Sequence, residues 1–156
     1  MILILDEWII HDLQGDNGQN RQKESYKFLE TIINKCDKIA ILRGSKFIEK
    51  IFHFAKKACN LGKRELSKML VNKFLFNLKK SEIINFENIE SEEIKNILEE
   101  VKPDDHYIVQ LYYYLNSVSL ECLIITTDKP LLEIFKKYNI KSSYRDEFLE
   151  YYTKEF

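Results

Sequence analysis

The sequence predicts an α/β fold, a three-layer α/β/α sandwich around a mainly parallel central sheet, in a single domain over residues 1–156. Three observations predict it. Short apolar runs at 1–5, 38–42 and 122–126 alternate with longer stretches of helical spacing, as β–α units of a parallel sheet do. Only four glycines and two prolines interrupt the chain, which favours long helices and short loops. The length is that of one domain at about 150 residues each. With 45% hydrophobic and 31% charged residues, the composition excludes a disordered tail, a collagen-like fibre and a coiled-coil rod.

In chain order, Met1–Leu5 is an unbroken apolar run ending in acid and reads as a strand buried on both faces. Residues 12–20 are a polar turn cluster, and residues 21–36 carry Tyr26, Phe28, Leu29, Ile32 and Ile33 at helical spacing. Lys38–Leu42 is the second strand. Ser45 then suits an N-cap for a helix with Phe47, Ile48, Ile51, Phe52, Phe54, Ala55 and Ala58 on its apolar side. Gly62 punctuates, and residues 64–79 continue as a second basic amphipathic helix. Glu82–Phe86 is a short strand. Ser91 caps a helix through Val101, which Pro103 breaks. Asp104 and Asp105 precede a helix through Leu115, Cys122–Thr126 is a third buried strand, and Lys129-Pro130 opens a helix with proline in its first turn. Ser142–Tyr144 reads as an edge strand before a terminal helix at 146–154.

No uncharged stretch reaches the ~20 apolar residues of a bilayer span, and Asp6-Glu7 follows the apolar start too soon for a signal peptide. The expectation is no membrane partner. Cys36, Cys59 and Cys122 have no paired spacing, which suggests reduced thiols in a cytoplasmic protein and no structural zinc. The formal net charge of -1 conceals segregation. Residues 41–80 hold 11 basic and 2 acidic groups, and residues 81–105 hold 2 basic and 9 acidic. A basic block of that kind can neutralise a phosphate backbone, or it can be solvated helix faces.

Two strands end in aspartate, Ile-Leu-Ile-Leu-Asp6 and Leu-Ile-Ile-Thr-Thr-Asp128, and Asp104-Asp105 lies at a helix start. Each alone is an ordinary cap. Together, three carboxylates that a parallel sheet brings to one rim would repel, and a divalent cation with hard oxygen ligands would hold them.

At these residues the chain resembles the PIN-domain nucleases, in family order and over most of its length. ILILD resembles the first strand with its aspartate at Asp6. IAILRGSKFIEKI resembles the second strand and the helix carrying a glutamate, at Glu49. KPDDHYIVQL resembles the acidic helix start, whose register selects Asp105 with Ile108 and leaves Asp104 as neighbour or cap. LIITTDKPLLE resembles the strand–acid–Leu-Leu signature and places the fourth acid at Asp128, and NIKSSYRDEFLEYY resembles the last strand and terminal helix. Glu7-Trp8 after Asp6, and Thr127 before Asp128, depart from the family's usual residues.

The resemblance implies an endoribonuclease dependent on Mg²⁺ or Mn²⁺, bound by Asp6, Asp105 and Asp128 with Glu49 completing the set. Small members are often toxins held by an antitoxin protein, and are often homodimers. Thr126 or Thr127 would orient a carboxylate. Arg43, Lys46, Lys50, Lys56 and Lys57, extended by Lys63, Arg64 and Lys68, would grip the RNA backbone, with exposed tyrosines or Trp8 stacking bases. Glu49 also shares a polar helix face with Lys46, Lys50, His53 and Lys56, where an ion pair is the plainer role. His106 is a candidate site neighbour, and Tyr112-Tyr113-Tyr114 are core or rim residues. The competing reading is a catalytically degenerate PIN-like module that binds RNA or protein. A receiver-like regulator fits less well, because a central-strand aspartate has no clear counterpart.

Overall fold

The computed structural model describes residues 1–62, 64–85 and 91–154. Five parallel strands, β1 (Ile2–Leu5), β2 (Lys38–Leu42), β3 (Ser81–Ile84), β4 (Cys122–Thr126) and β5 (Ser142–Tyr144), form one sheet in the order β3-β2-β1-β4-β5. The chain winds outward from β1 through β2 to β3, crosses back to β4 and winds outward again to β5. The reversal leaves a crevice at the carboxyl ends of β1 and β4, where open parallel sheets bind ligands.

Helices cover both faces, which makes the three-layer sandwich. On one side α1 (Trp8–Gln14) packs on α2 (Gln19–Asn34) and on α3 (Lys46–Asn60), and α2 packs on α8 (Arg145–Tyr152). On the other, α5 (Glu92–Glu100) packs on α6 (His106–Ser117), which lies across β1, β2 and β4, and α7 (Lys129–Lys137) lies on β4 and β5. The central strands are buried almost throughout because both faces are covered, so their sequences are apolar runs without alternation. The edge strands β3 and β5 are only partly buried.

The elements differ from the sequence expectation in three places. Residues 8–14, for which the sequence predicts no helix and which run into the expected turn cluster, form α1, which ends at Gly15 with φ 87° in the left-handed region. The 64–79 helix is shorter: α4 (Arg64–Leu70) passes into a π-helical turn at Val71–Leu75 and stops. Asn77 explains the stop, since its side chain accepts from the Lys79 amide at 3.1 Å and its carbonyl from the Lys80 and Ser81 amides, a turn in place of a helical ladder. Pro103–Asp105 forms a 3₁₀ turn before α6. Lys63, expected on the basic track, and Phe86, expected to end a strand, lie outside the described residues. Ser91 caps α5 as expected, accepting from Ile94 N at 3.1 Å. Among the described residues, no helix is long and apolar enough to cross a membrane.

Candidate active site

The register sets Leu5 beside Ile125, so Asp6 and Thr126 leave the sheet side by side. Asp6 is fixed from two directions. The Trp8 amide donates to its Oδ1 at 3.2 Å, and the Thr126 hydroxyl donates to its Oδ2. The same Thr126 oxygen accepts from the Asp128 amide at 3.0 Å, tying the two strand ends together. Asp128 caps α7 through Leu131 N at 3.0 Å, so one of its carboxylate oxygens is engaged in the helix start. Its other oxygen lies 4.0 Å from the exposed Lys102 ammonium.

Asp105 stands at the N-cap position of α6 without capping it. Burial, followed by the negative charges of Asp6, Glu7 and Asp128, pushes its carboxyl up to about 6, against a weaker opposing pull from Lys102. The Asp6 carboxyl is raised too, chiefly by burial, although the Thr126 and Trp8 hydrogen bonds oppose this. Tyr107, buried beneath the cluster, donates to Leu5 O at 3.1 Å and stacks on Phe47 with ring centroids 5.7 Å apart. Burial, then Asp6, Glu7 and Asp105, hold its phenol protonated far above the ordinary range.

The structure thus brings Asp6, Asp105 and Asp128 into one electrostatic neighbourhood, and adds Glu7. It sets Glu49 apart: that side chain is exposed on the first turn of α3, and its charge is felt at Lys46 but is not among the main influences on Asp6 or Asp105. Glu7 is paired with Lys50, and one of its oxygens lies 4.0 Å from His11 Nε2. The signal for Glu7 in the sequence is the Asp-Glu doublet at a strand end. It is masked there because the helix at 8–14, which holds the doublet at its start, has no clear pattern. Asp104 pairs with Lys46 on the surface. Thr127 makes no side-chain hydrogen bond among the described residues.

The expected RNA-gripping residues divide. Lys46 and Lys50 are held by Asp104 and Glu7, while Arg43, Lys56 and Lys57 are exposed. Trp8 is not free to stack bases. It is buried, its indole N–H donates to Ile125 O at 2.9 Å, and Arg145 lies over its ring at 5.2 Å. Tyr112 is buried, and Tyr113 and Tyr114 are half-buried at its rim.

Beside the acids, a cleft of about 390 Å³ opens between the Arg43–Lys46 segment and a wall of Pro103, Asp104, His106, Tyr107 and Gln110. A larger one, about 500 Å³, lies away from the acids between α2 and α8. Its charges satisfy one another, Arg21 with Asp146 and Arg145 with Glu24 and Asp146, which leaves little to recruit a charged ligand.

The acidic cluster suits a hard cation in its chemistry: its donors are all oxygens, it is short of positive charge, and the Asp105 carboxylate has no hydrogen-bond partner among the described residues. Among those residues, however, no group of three or more His, Cys, Asp or Glu side chains is placed so that it could hold a metal ion. No protein-family model matches the chain, and no curated protein matches it.

Proposed function

We propose that the chain is a metal-dependent ribonuclease in which Asp6, Asp105 and Asp128 hold Mg²⁺ or Mn²⁺. The observation that carries this reading is electrostatic: half-buried Asp105 feels Asp6 and Asp128, the acids that follow β1 and β4, together with Glu7, and burial with these charges raises it to about 6. Structural acids are ordinarily matched by cations, whereas part-buried acids kept short of positive charge point to a ligand that supplies it. A bound divalent ion would supply an activated water and neutralise charge on the leaving oxygen.

The chain's own residues orient the donors. Thr126 fixes the Asp6 carboxylate and the Asp128 loop through one hydroxyl. The Trp8 amide fixes the other Asp6 oxygen. Tyr107 closes the floor against water. Glu7 is better placed than Glu49 to add a fourth carboxylate, by release from Lys50. The exposed Arg43, Lys56 and Lys57 would meet the RNA backbone without reading its sequence. An inhibitory antitoxin protein and a homodimer rest on the family resemblance alone.

The test is cleavage of labelled single-stranded RNA in Mn²⁺. Wild type should cut, and Asp6→Asn and Asp128→Asn should each cut on the order of 10² or more slower, as loss of a principal electrostatic contributor does. Equal cutting by both variants would remove the site assignment.

A second reading, a binding module without catalysis, is favoured by the Glu7–Lys50 pair and by the lack, among the described residues, of any group of three His, Cys, Asp or Glu side chains that could hold a metal ion. Thermal melting separates them. A metal site gives a Mn²⁺-dependent rise in Tm that Asp105→Asn abolishes, and a degenerate site gives none.

A further inference from the structure

The cleft beside the acids contains an unused donor set. Ser45 is only 8% exposed and lines the cleft, yet its hydroxyl has no hydrogen-bond partner. It occupies the N-cap position of α3 with the extended backbone of a cap, but caps nothing. The first two amides of the helix are also unengaged: those of Lys46 and Phe47 find no acceptor among the described residues, whereas Ile48 N and Glu49 N bond to Ser45 O. Such orphan N–H groups at the start of a long helix carry partial positive charge. Arg43 is exposed and has no ion pair among the described residues. Gly44 turns the chain from β2 into α3 at φ 76°, a conformation that disfavours other residues.

We propose that this cleft is a phosphate-binding subsite, in which Ser45 Oγ and the first amides of α3 donate to the phosphate oxygens and Arg43 closes over them. A tetrahedral anion offers several acceptors in diverging directions, which suits a hydroxyl, helix-start amides and a guanidinium better than a planar carboxylate does. The opposing charges are Asp104 on the far wall, already neutralised by Lys46, and the exposed Glu49 on the first turn of α3. Because Tyr107 and the Asp104–His106 segment border both this cleft and the acidic cluster, a phosphate here would anchor a strand beside the carboxylates. Only that last step, an RNA strand as the source of the phosphate, rests on the proposed ribonuclease activity.

The experiment needs no metal and no cleavage. In EDTA, melting is compared between phosphate and chloride at matched ionic strength. Wild-type Tm should rise by about 2 °C in phosphate well above its Kd. Ser45→Ala breaks no existing hydrogen bond and Arg43→Ala alters an exposed side chain, so both should melt near wild type without phosphate and lose at least half of the rise. No rise in wild type, or an unchanged rise in both variants, overturns the subsite. Fluorescence anisotropy then compares short RNAs with and without a terminal phosphate, at either end. A preference of about fivefold (close to 1 kcal/mol by RT ln K) in wild type that Ser45→Ala loses identifies a strand end as the source. Equal affinity alongside a surviving melting shift identifies free phosphate and overturns the strand as source. Failure of the Mn²⁺ cleavage assay changes neither readout.

Discussion

Asp12 and Asp105 are both acids drawn out of water, and the fold treats them oppositely. Asp12 is 0% exposed and fully partnered. Its carboxylate meets Arg145 Nη2 at 2.8 Å, Ser25 Oγ at 2.7 Å and Asn17 Nδ2 at 2.7 Å. Arg145, itself 1% exposed, also holds Glu24 and Asp146. Asp105 is half-buried, feels three other acids and has Lys102 as a weaker influence in its favour. Burying a charge is tolerable when it is paired, so the first arrangement holds the molecule together. The second stores repulsion that a bound cation would relieve. The regions are mechanically linked. Arg145 lies over the Trp8 ring, the Trp8 indole bonds to the end of β4, and its amide bonds to Asp6. The paired acids therefore buttress the unpaired ones.

The contrast breaks most directly at Arg145. Arg145→Met leaves Asp12 buried without a cation and should cost about 3–5 kcal/mol, read from the denaturant midpoint. A loss under about 1 kcal/mol would show that the network is not what carries stability here. Next in size is Thr126→Val, nearly isosteric. It removes a charge-assisted hydrogen bond to Asp6 and the acceptor for the Asp128 amide, at a cost of about 2 kcal/mol. If melting is unaffected, the threonine does not tie the strand ends.

Asp105→Asn should act in the opposite direction to both, raising the metal-free Tm by relieving repulsion worth up to ~1 kcal/mol. The pH dependence tests the same feature. Asp105 is raised to about 6 from an ordinary 3.8, so between those values the folded chain holds a proton that the unfolded chain has released. Metal-free stability should therefore fall as pH rises from about 4 to 6 and level off above, and Asp105→Asn should flatten the slope. Asp6, raised chiefly by burial, contributes with the same sign. Asp37 runs the other way. Burial raises it, but the Tyr152 hydroxyl and the N-terminal ammonium lower it on balance, and its loss of stability comes as pH drops below 3.8. A flat wild-type profile from pH 4 to 7 would contradict the clustering of charge at Asp105. The smallest effect on stability is expected on the basic surface. Reversing Lys56 and Lys57 to Glu should change folding by no more than about 0.5 kcal/mol. It should still weaken RNA binding, and reduce its salt dependence by roughly one unit of slope for each phosphate no longer neutralised.

Much of this architecture is legible in the sequence because it depends on local pattern. The apolar runs at 2–5, 38–42 and 122–126 read as strands covered on both faces, as the structure has them, and acids following two of them fall at the sheet's carboxyl edge by geometry. Asp6 and Asp128 stand out in that way, and Asp105 by its place at a helix start. The short α1 does not, since Trp-Ile-Ile-His-Asp-Leu-Gln has too few turns to show a clear period and ends beside a glycine-rich turn. Without it, neither the burial of Trp8 nor the place of Glu7 at the rim can be read. Glu49 shows where spacing runs out: it suits a site or a helix-face ion pair, and only the structure shows that the helical phase turns it to solvent.

The sequence by itself determined the strands, their parallel winding and the residue types available at the crevice, because these follow from burial on two faces and from the direction of β–α units. Only the tertiary structure decided which charges meet. Arg145 and Asp12 are 133 positions apart and Asp6 and Thr126 are 120. No local periodicity encodes such pairings. Whether an acid is neutralised or left to repel depends on the side chains that packing brings within a few ångströms of it, and that is what separates Asp12, matched by a cation, from Asp105, left facing like charges.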